Sequence, residues 1–347
     1  MNLQIALLLG QDGVTNGAIY ALLSLSILLV FTVTRVLLIP LGEFVAFGAL
    51  TMAAFEAGQP GNATTLLGVV ALAACLADAI RHARERRRPS GRRLALWAGT
   101  LAWPVALGLA LQALPLAELA APLRVLLVLL VLVPLGPLLY RAVFAPLAQA
   151  SALVLLIASI ALHVALVGAG LLAFGPEGAR TQPFSDSFIE LGALRLNSQT
   201  VWVVAVSFAL IGLLFFAFQR TLYGKALRAV AFNRTGARLV GISPDFAGSV
   251  SFGLATFIGV MSGVLIAPIT TLYYDSGFII SLKGFVGSII GGLASYPIAA
   301  GGALLVGLIE AFSAFFASQY KEVIVFTLII PVLLWRSLTT HRLEDEE

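Results

Sequence analysis

Apolar runs of about 20 residues recur along this chain, and about 20 residues of helix is what a bilayer core requires. Eleven can be drawn, at roughly 14–34, 43–57, 64–80, 94–113, 123–139, 151–174, 200–219, 246–272, 284–294, 298–318 and 323–338. Lipid offers the backbone no hydrogen bonds, so a spanning segment must satisfy its own, as a helix does. A β-barrel would read instead as short segments of alternating polarity. The expected fold class is therefore all-α: a polytopic helical membrane protein of about 10–11 apolar segments, some of them broken or re-entrant. Composition agrees, with 60% hydrophobic and 11% charged residues and a mean hydropathy of +1.00. A soluble domain of that composition would have no water-facing side. The ninth run, 284–294, is too short to cross as a regular helix.

Basic residues orient the spans. Cytoplasmic loops carry the excess of Lys and Arg. If the seven arginines of 81–93 lie inside, alternation also puts inside Arg35, Arg141, the five basic residues of 220–238, and Arg336 and Arg342. Only Arg124, Arg180, Arg195, Lys283 and Lys321 then fall outside. The 175–199 loop is external in this topology. The run 81–93 reads as an orientation anchor touching anionic lipid. The pI near 9.5 reflects these loops and not nucleic-acid binding. The start, "MNLQIALLLGQDGVTNG", lacks the basic leader and cleavage site of a removable signal peptide. The single cysteine, Cys75, excludes an internal disulfide. With no long linker, one transmembrane domain over 1–347 is expected.

Catalytic constellations are missing from the sequence. His82, His163 and His341 sit in unrelated regions without metal-ligand spacing, and His163, alone in an apolar run, reads as a packing residue. No phosphate-binding loop occurs, since Gly224-Lys225 lacks the upstream glycine. Neither a catalytic residue nor a metal or cofactor site is expected. Glu43 and Glu310 are the clearest ionisable groups inside apolar runs, and each should face the protein interior. Glu43 follows Pro40 and Gly42, which interrupt a helix; it is either a pathway element or a helix-start acid. Glu310 reads as a bridge between helices. Gly13 and Gly17, Gly259 and Gly263, and Gly287 and Gly291 are spaced four apart, which lets helices approach closely. The stretch 284–302, Gly-rich and followed by Pro297, fits a discontinuous helix near a transport pathway. Thr15, Asn16, Tyr20, Gly42, Glu43, Gly291 and Gly292 are the candidates for that pathway.

Between two spans lies "YGKALRAVAFNRTGARLVGIS", Tyr223 to Ser243. Ala226, Ala229, Ala231, Gly236 and Ala237 make it a slim helix, with Arg234 and Arg238 on one face and Pro244 ending it. Such a basic helix is either a juxtamembrane anchor or a docking element.

The segment "LRAVAFNRTGARLVGISPDFA" resembles the coupling segment of permease subunits from the branched-chain amino acid family of ABC importers. Arg228, Ala229, Ala237, Leu239, Gly241 and Ile242 carry the match. "DGVTNGAIYALLSLSILLV" is similar to the family's first span, "YRAVFAPLAQASALVLLIASIAL" to its central cytoplasmic turn and next span, and 284–330 to its C-terminal Gly-rich region. Two departures stand out. Phe232 occupies a place where the family often has an acid or amide, and Leu38-Ile39-Pro40-Leu41-Gly42-Glu43 stands where it usually reads Asn-Phe-Ala-His-Gly-Glu. The stretch 64–113 looks like an added hairpin of two spans.

The resemblance implies a multi-pass permease subunit in a bacterial inner membrane, with 220–245 as its cytoplasmic coupling segment. Its partners would be a second homologous permease, two ATP-binding subunits, a periplasmic solute-binding protein and membrane lipid, with no nucleic acid. ATP would be bound by the partner subunits, so this chain would be no enzyme. Arg228, Asn233, Arg234, Ala237, Arg238 and Gly241 would be the ATPase contacts. The cargo would be branched-chain or related hydrophobic amino acids, with urea, amides or aromatic acids as alternatives. A secondary active transporter for a small organic solute is the competing class; it would need proton-relay carboxylates, which the sequence shows sparsely.

Overall fold

The computed structural model describes residues 3–84, 90–185, 187–191 and 194–344. The centre of the arginine run, 85–89, and the last three residues of the tail lie outside the described residues. The chain runs as α1 (Leu3–Thr34), α2 (Leu41–Glu56), α3 (Ala63–Arg84), α4 (Gly91–Ala113), α5 (Ala121–Leu132), α6 (Leu135–Leu139), a π-helical turn (Tyr140–Phe144), α7 (Ala152–Phe174), β1 (Phe188–Leu191), β2 (Leu194–Asn197), α8 (Ser198–Arg220), α9 (Leu222–Phe232), α10 (Arg234–Leu239), α11 (Pro244–Ile266), α12 (Gly277–Ile290), α13 (Tyr296–Phe316), α14 (Lys321–Thr327) and α15 (Ile329–Glu344). Among the described residues, nine helical stretches are long and apolar enough to cross a membrane. The all-α, polytopic expectation holds. The strands among the described residues form one small antiparallel hairpin within the 175–199 loop, with Phe188 opposite Asn197 and Leu191 opposite Leu194.

Helix ends follow local chemistry. After α1, Arg35 turns left-handed (φ 62°), and the chain runs without helix to Pro40. Pro40 cannot donate a backbone hydrogen bond, and α2 begins one residue later. The ninth apolar run becomes α12, which begins at Gly277 and not near 284, and stops at Ile290. Gly292 (φ 64°) and Leu293 (φ 55°) are both left-handed, a conformation that costs a non-glycine residue about 1 kcal/mol or more. Pro297 then sits in the first turn of α13, where its missing N–H is harmless.

Contacts divide the chain into two compact units. The first comprises Met1–Leu28, Phe184–Leu214 and Ile279–Glu347. Tyr20, Ala21, Val286, Ala303, Val306 and Val325 form a core there. Glycine seams bring its helices together. A Cβ on Gly13 or Gly17 would meet the backbone of Leu308 or Leu304 at 2.8 or 2.9 Å, and one on Gly287 or Gly291 would meet Ala303 or Ala299 at 2.6 Å. Without Cβ atoms the backbones close up and gain dispersion contacts, which drive association where no water remains to be released.

The second unit comprises Leu29–Pro183 and Phe215–Phe278. Its central seam is α2 against α11, where Gly259 lies on Leu41 and Phe44, and Gly263 lies on the Val45 carbonyl. The spacing-four glycine pairs are thus packing seams in both units. Rings of Tyr140 and Phe144 lie 5.1 and 5.2 Å from that of Phe252, fixing the π-helical turn to α11. Helices α3 and α4 pack as a hairpin, and α4 buries only Pro104 and Leu111.

Candidate functional site

The basic segment after α8 is two helices. Asn233 ends α9 and caps α10: its Oδ1 accepts from the Gly236 N–H at 2.9 Å. An Asn side chain offers the backbone this alternative, and the slim helix is interrupted there. Termination differs too. Gly241 is left-handed (φ 84°), its N–H donates to the Arg238 carbonyl at 3.1 Å, and the Ile242 N–H donates to the Ala237 carbonyl at 2.9 Å. This pair of bonds is a Schellman ending. Gly241, and not Pro244, stops the helix; Pro244 starts α11 behind a Ser243 cap.

Leu227, Val230 and Ala237 bury against Leu29, Val33 and Ala247. Arg234 turns inward. Its guanidinium donates to the Val33 carbonyl at 3.1 Å and to the Ala148 carbonyl at 3.3 Å. Burial pushes that guanidinium below its ordinary pKa, yet an arginine so placed stays charged. Beside it lies a cavity of about 230 Å³, lined by Thr34, Tyr140, Arg234, Arg238 and Asp245 among others. Of the expected ATPase contacts, Arg228, Asn233, Arg238 and Gly241 are exposed, Arg234 is half-buried and Ala237 is buried. Outside them, Phe232, Leu239 and Val240 are 94%, 85% and 74% exposed.

A second arrangement surrounds the break between α1 and α2. Ser159 and His163, four apart on α7, face it together. Ser159 Oγ donates to the Leu37 carbonyl at 2.6 Å and accepts from the Ile39 N–H at 3.1 Å. His163 Nδ1 lies 2.7 Å from Glu43 Oε1, and the imidazole stacks on Phe278 at 4.5 Å. Glu43 is fully buried, and its Oε2 has no partner among the described residues. Gly42 and Gly277 meet here backbone to backbone, each lying where the other's Cβ would be. His163 is thus a satisfied packing histidine, and its partner is the Glu43 carboxyl. Its i, i+4 relation to Ser159 was the available signal.

The first unit holds a charged centre. Tyr20 donates to Glu310 Oε2 at 2.6 Å, and Lys283 donates to Glu310 Oε1 at 2.5 Å and to Glu322 Oε1 at 3.1 Å. Lys283 is only 5% exposed and lies within α12, so it is not the external loop cation expected. Its apolar flanks, "FIISLKGFVGSII", carried that information. Glu310 does bridge helices. Among the other pathway candidates, Thr15 is buried and bonds back to the Gln11 carbonyl at 2.8 Å, Asn16 and Gly292 are partly buried, and Gly291 is packed on Ala299.

Against known sequences, the family described as branched-chain amino acid transport system / permease component matches residues 11–333. The chain belongs to that family. With nine candidate spans among its described residues, it is a multi-pass membrane protein. The high-affinity branched-chain amino acid transport system permease protein BraD of Pseudomonas aeruginosa is 28% identical over 203 residues, 56% of this chain and 66% of BraD. The corresponding permease protein LivH of Escherichia coli K12 is 32% identical over 136 residues, 39% of this chain and 44% of LivH. The chain thus spans less than two thirds of each relative's length. No solved structure matches.

Proposed function

We propose that this permease is the membrane subunit of an ATP-driven importer that carries branched-chain or related hydrophobic amino acids across a bacterial inner membrane. A second permease subunit completes the pathway, one of two ATP-binding subunits docks on the segment 220–245, and a periplasmic binding protein delivers cargo. The names of BraD and LivH support the cargo class. The observation that carries the docking assignment is the exposed set Phe232, Leu239, Val240 and Arg238, mounted on a segment braced by two caps and an inward arginine. Three large apolar side chains beside a cation, at a loop the charge count places inside, suit a protein partner better than water.

Mechanically, Arg234 ties α10 to the end of α1 and to the turn before α7. A push on the segment then moves both. Import is directional when ATP binding shifts the balance between inward- and outward-facing states of different cargo affinity. The stretch 64–113 is an added hairpin on this scaffold, outside the coupling element.

The test is co-purification of the chain with the products of its neighbouring genes, followed by uptake in proteoliposomes. Phe232→Asp with Leu239→Asp should release the ATP-binding subunits and abolish ATP-dependent uptake. Uptake that runs on a proton gradient without ATP would support a secondary transporter. The Glu43–His163 pair and the Lys283 centre keep that alternative concrete, because they are more ionisable groups than the sequence count suggested.

A further inference from the structure

The basic run has a use beyond orientation. Between α3, α4, the π-helical turn and the start of α11 lies a cavity of about 450 Å³, wholly within the second unit. Arg81, Arg93 and Arg141 line it, with Asp78 and Asp245 as the acids. Asp78 accepts from Arg81 on one carboxylate oxygen and from Arg141 on the other. That bond holds both guanidinia at the cavity wall while using one nitrogen of each. A guanidinium has five N–H donors in a planar fork, a shape that fits phosphate oxygens.

His82 supplies an independent observation. It lines the same cavity, is 8% exposed, and its Nε2 has no partner among the described residues. Its Nδ1 lies 2.8 Å from the Asp78 carbonyl oxygen and so carries the proton. In its neutral form the ring offers Nε2 as an acceptor, for which a hydroxyl or N–H is the matching donor. A bare phosphate diester has no such donor. The ligand therefore needs an anion for the arginines and a donor for the histidine.

The surroundings point to its source. Trp97 meets His82 edge-on at 6.0 Å, and indoles favour the headgroup level of a bilayer. Beside the cavity, Leu76, Ile80, Leu94 and Leu96 are each more than half exposed, an apolar surface for acyl chains. Basic pockets between spanning helices on the cytoplasmic side bind anionic headgroups.

We propose that this cavity binds the headgroup of an anionic, hydroxyl-bearing phospholipid of the phosphatidylglycerol type. The phosphate diester lies against Arg81, Arg93 and Arg141, a headgroup hydroxyl donates to His82 Nε2, and the acyl chains run along α3 and α4.

Native mass spectrometry of the full-length chain in detergent tests this, with phosphatidylglycerol, phosphatidylcholine of the same acyl chains, and glycerol 3-phosphate as probes. One phosphatidylglycerol per chain should be retained at about 10-fold lower concentration than phosphatidylcholine, whose headgroup has no hydroxyl for His82 Nε2 and brings a cation toward three arginines. His82→Phe keeps the ring against Trp97 and should weaken phosphatidylglycerol binding about 5-fold. Arg93→Gln, at an exposed position that leaves the Asp78 bonds intact, should weaken it similarly. Unchanged melting temperatures separate these losses from misfolding. Equal retention of the two lipids, or wild-type binding by both variants, overturns the proposal. Glycerol 3-phosphate binding as tightly as the lipid overturns it too, assigning the cavity to a soluble phosphate ester.

Discussion

Glu310 and Glu43 are both buried carboxylates on apolar helices, and they are completed differently. Glu310 has both oxygens occupied, one by the Tyr20 hydroxyl and one by the Lys283 ammonium. Glu43 has one oxygen on His163 and one with no partner among the described residues. A carboxylate bonded at both oxygens in low dielectric resists rearrangement, because every alternative strands a charge. A carboxylate with one unused oxygen, beside a helix break and a glycine-on-glycine contact, has a partner still to find. The contrast suggests a structural clamp in the first unit and a responsive group in the second.

The largest effect should come from breaking the clamp. Lys283→Met leaves Glu310 as an uncompensated buried charge and should cost about 3–5 kcal/mol of stability, read by thermal unfolding in detergent. Adding Glu310→Leu should recover most of that loss; no recovery would mean the cluster is not acting as an ion pair. Glu43→Gln sharpens the comparison from the other side. An amide can either donate to or accept from His163, so stability should change by less than about 1 kcal/mol, while uptake by the assembled transporter falls about 10-fold, the rate equivalent of roughly 1.4 kcal/mol. If Glu43→Gln instead unfolds the protein and leaves uptake per folded molecule intact, the two carboxylates have the same job.

Smaller effects belong to the proposed coupling segment, 220–245. Arg234→Lys keeps the charge but loses the planar fork that reaches both Val33 and Ala148. Uptake should drop several-fold, while the ATP-binding subunits still co-purify. Loss of those subunits would make Arg234 a docking residue and not a strut. Asn233→Ala removes the cap of α10 and should cost about 1 kcal/mol, measured by the same unfolding experiment. Gly241→Ala should cost a similar amount, from the left-handed backbone at that position.

How much of this could be read beforehand depends on the range of the interaction. The glycine pairs were legible, because spacing four on a helix puts both residues on one face whatever that face meets. The coupling segment was half legible. Its basic and small residues marked it, while the cap at Asn233 and the left-handed turn at Gly241 rest on backbone geometry that spacing does not show. Helical spacing puts Arg234 and Arg238 on one face but cannot say that Arg234 turns inward. Lys283 was misplaced because charge was taken to mean loop, although its neighbours on both sides are apolar.

Composition and hydropathy by themselves determine that this chain is helical, crosses a membrane many times and breaks near Pro40 and Pro297. Those properties rest on the local cost of bare backbone in lipid and on proline's missing N–H. The tertiary structure alone decides that Glu43 meets His163, that Tyr20 and Lys283 share Glu310, and that His82 opens onto a basic cavity. In a low-dielectric interior the energy of an ionisable group is set by the few atoms touching it, and those atoms come from helices far apart in the chain.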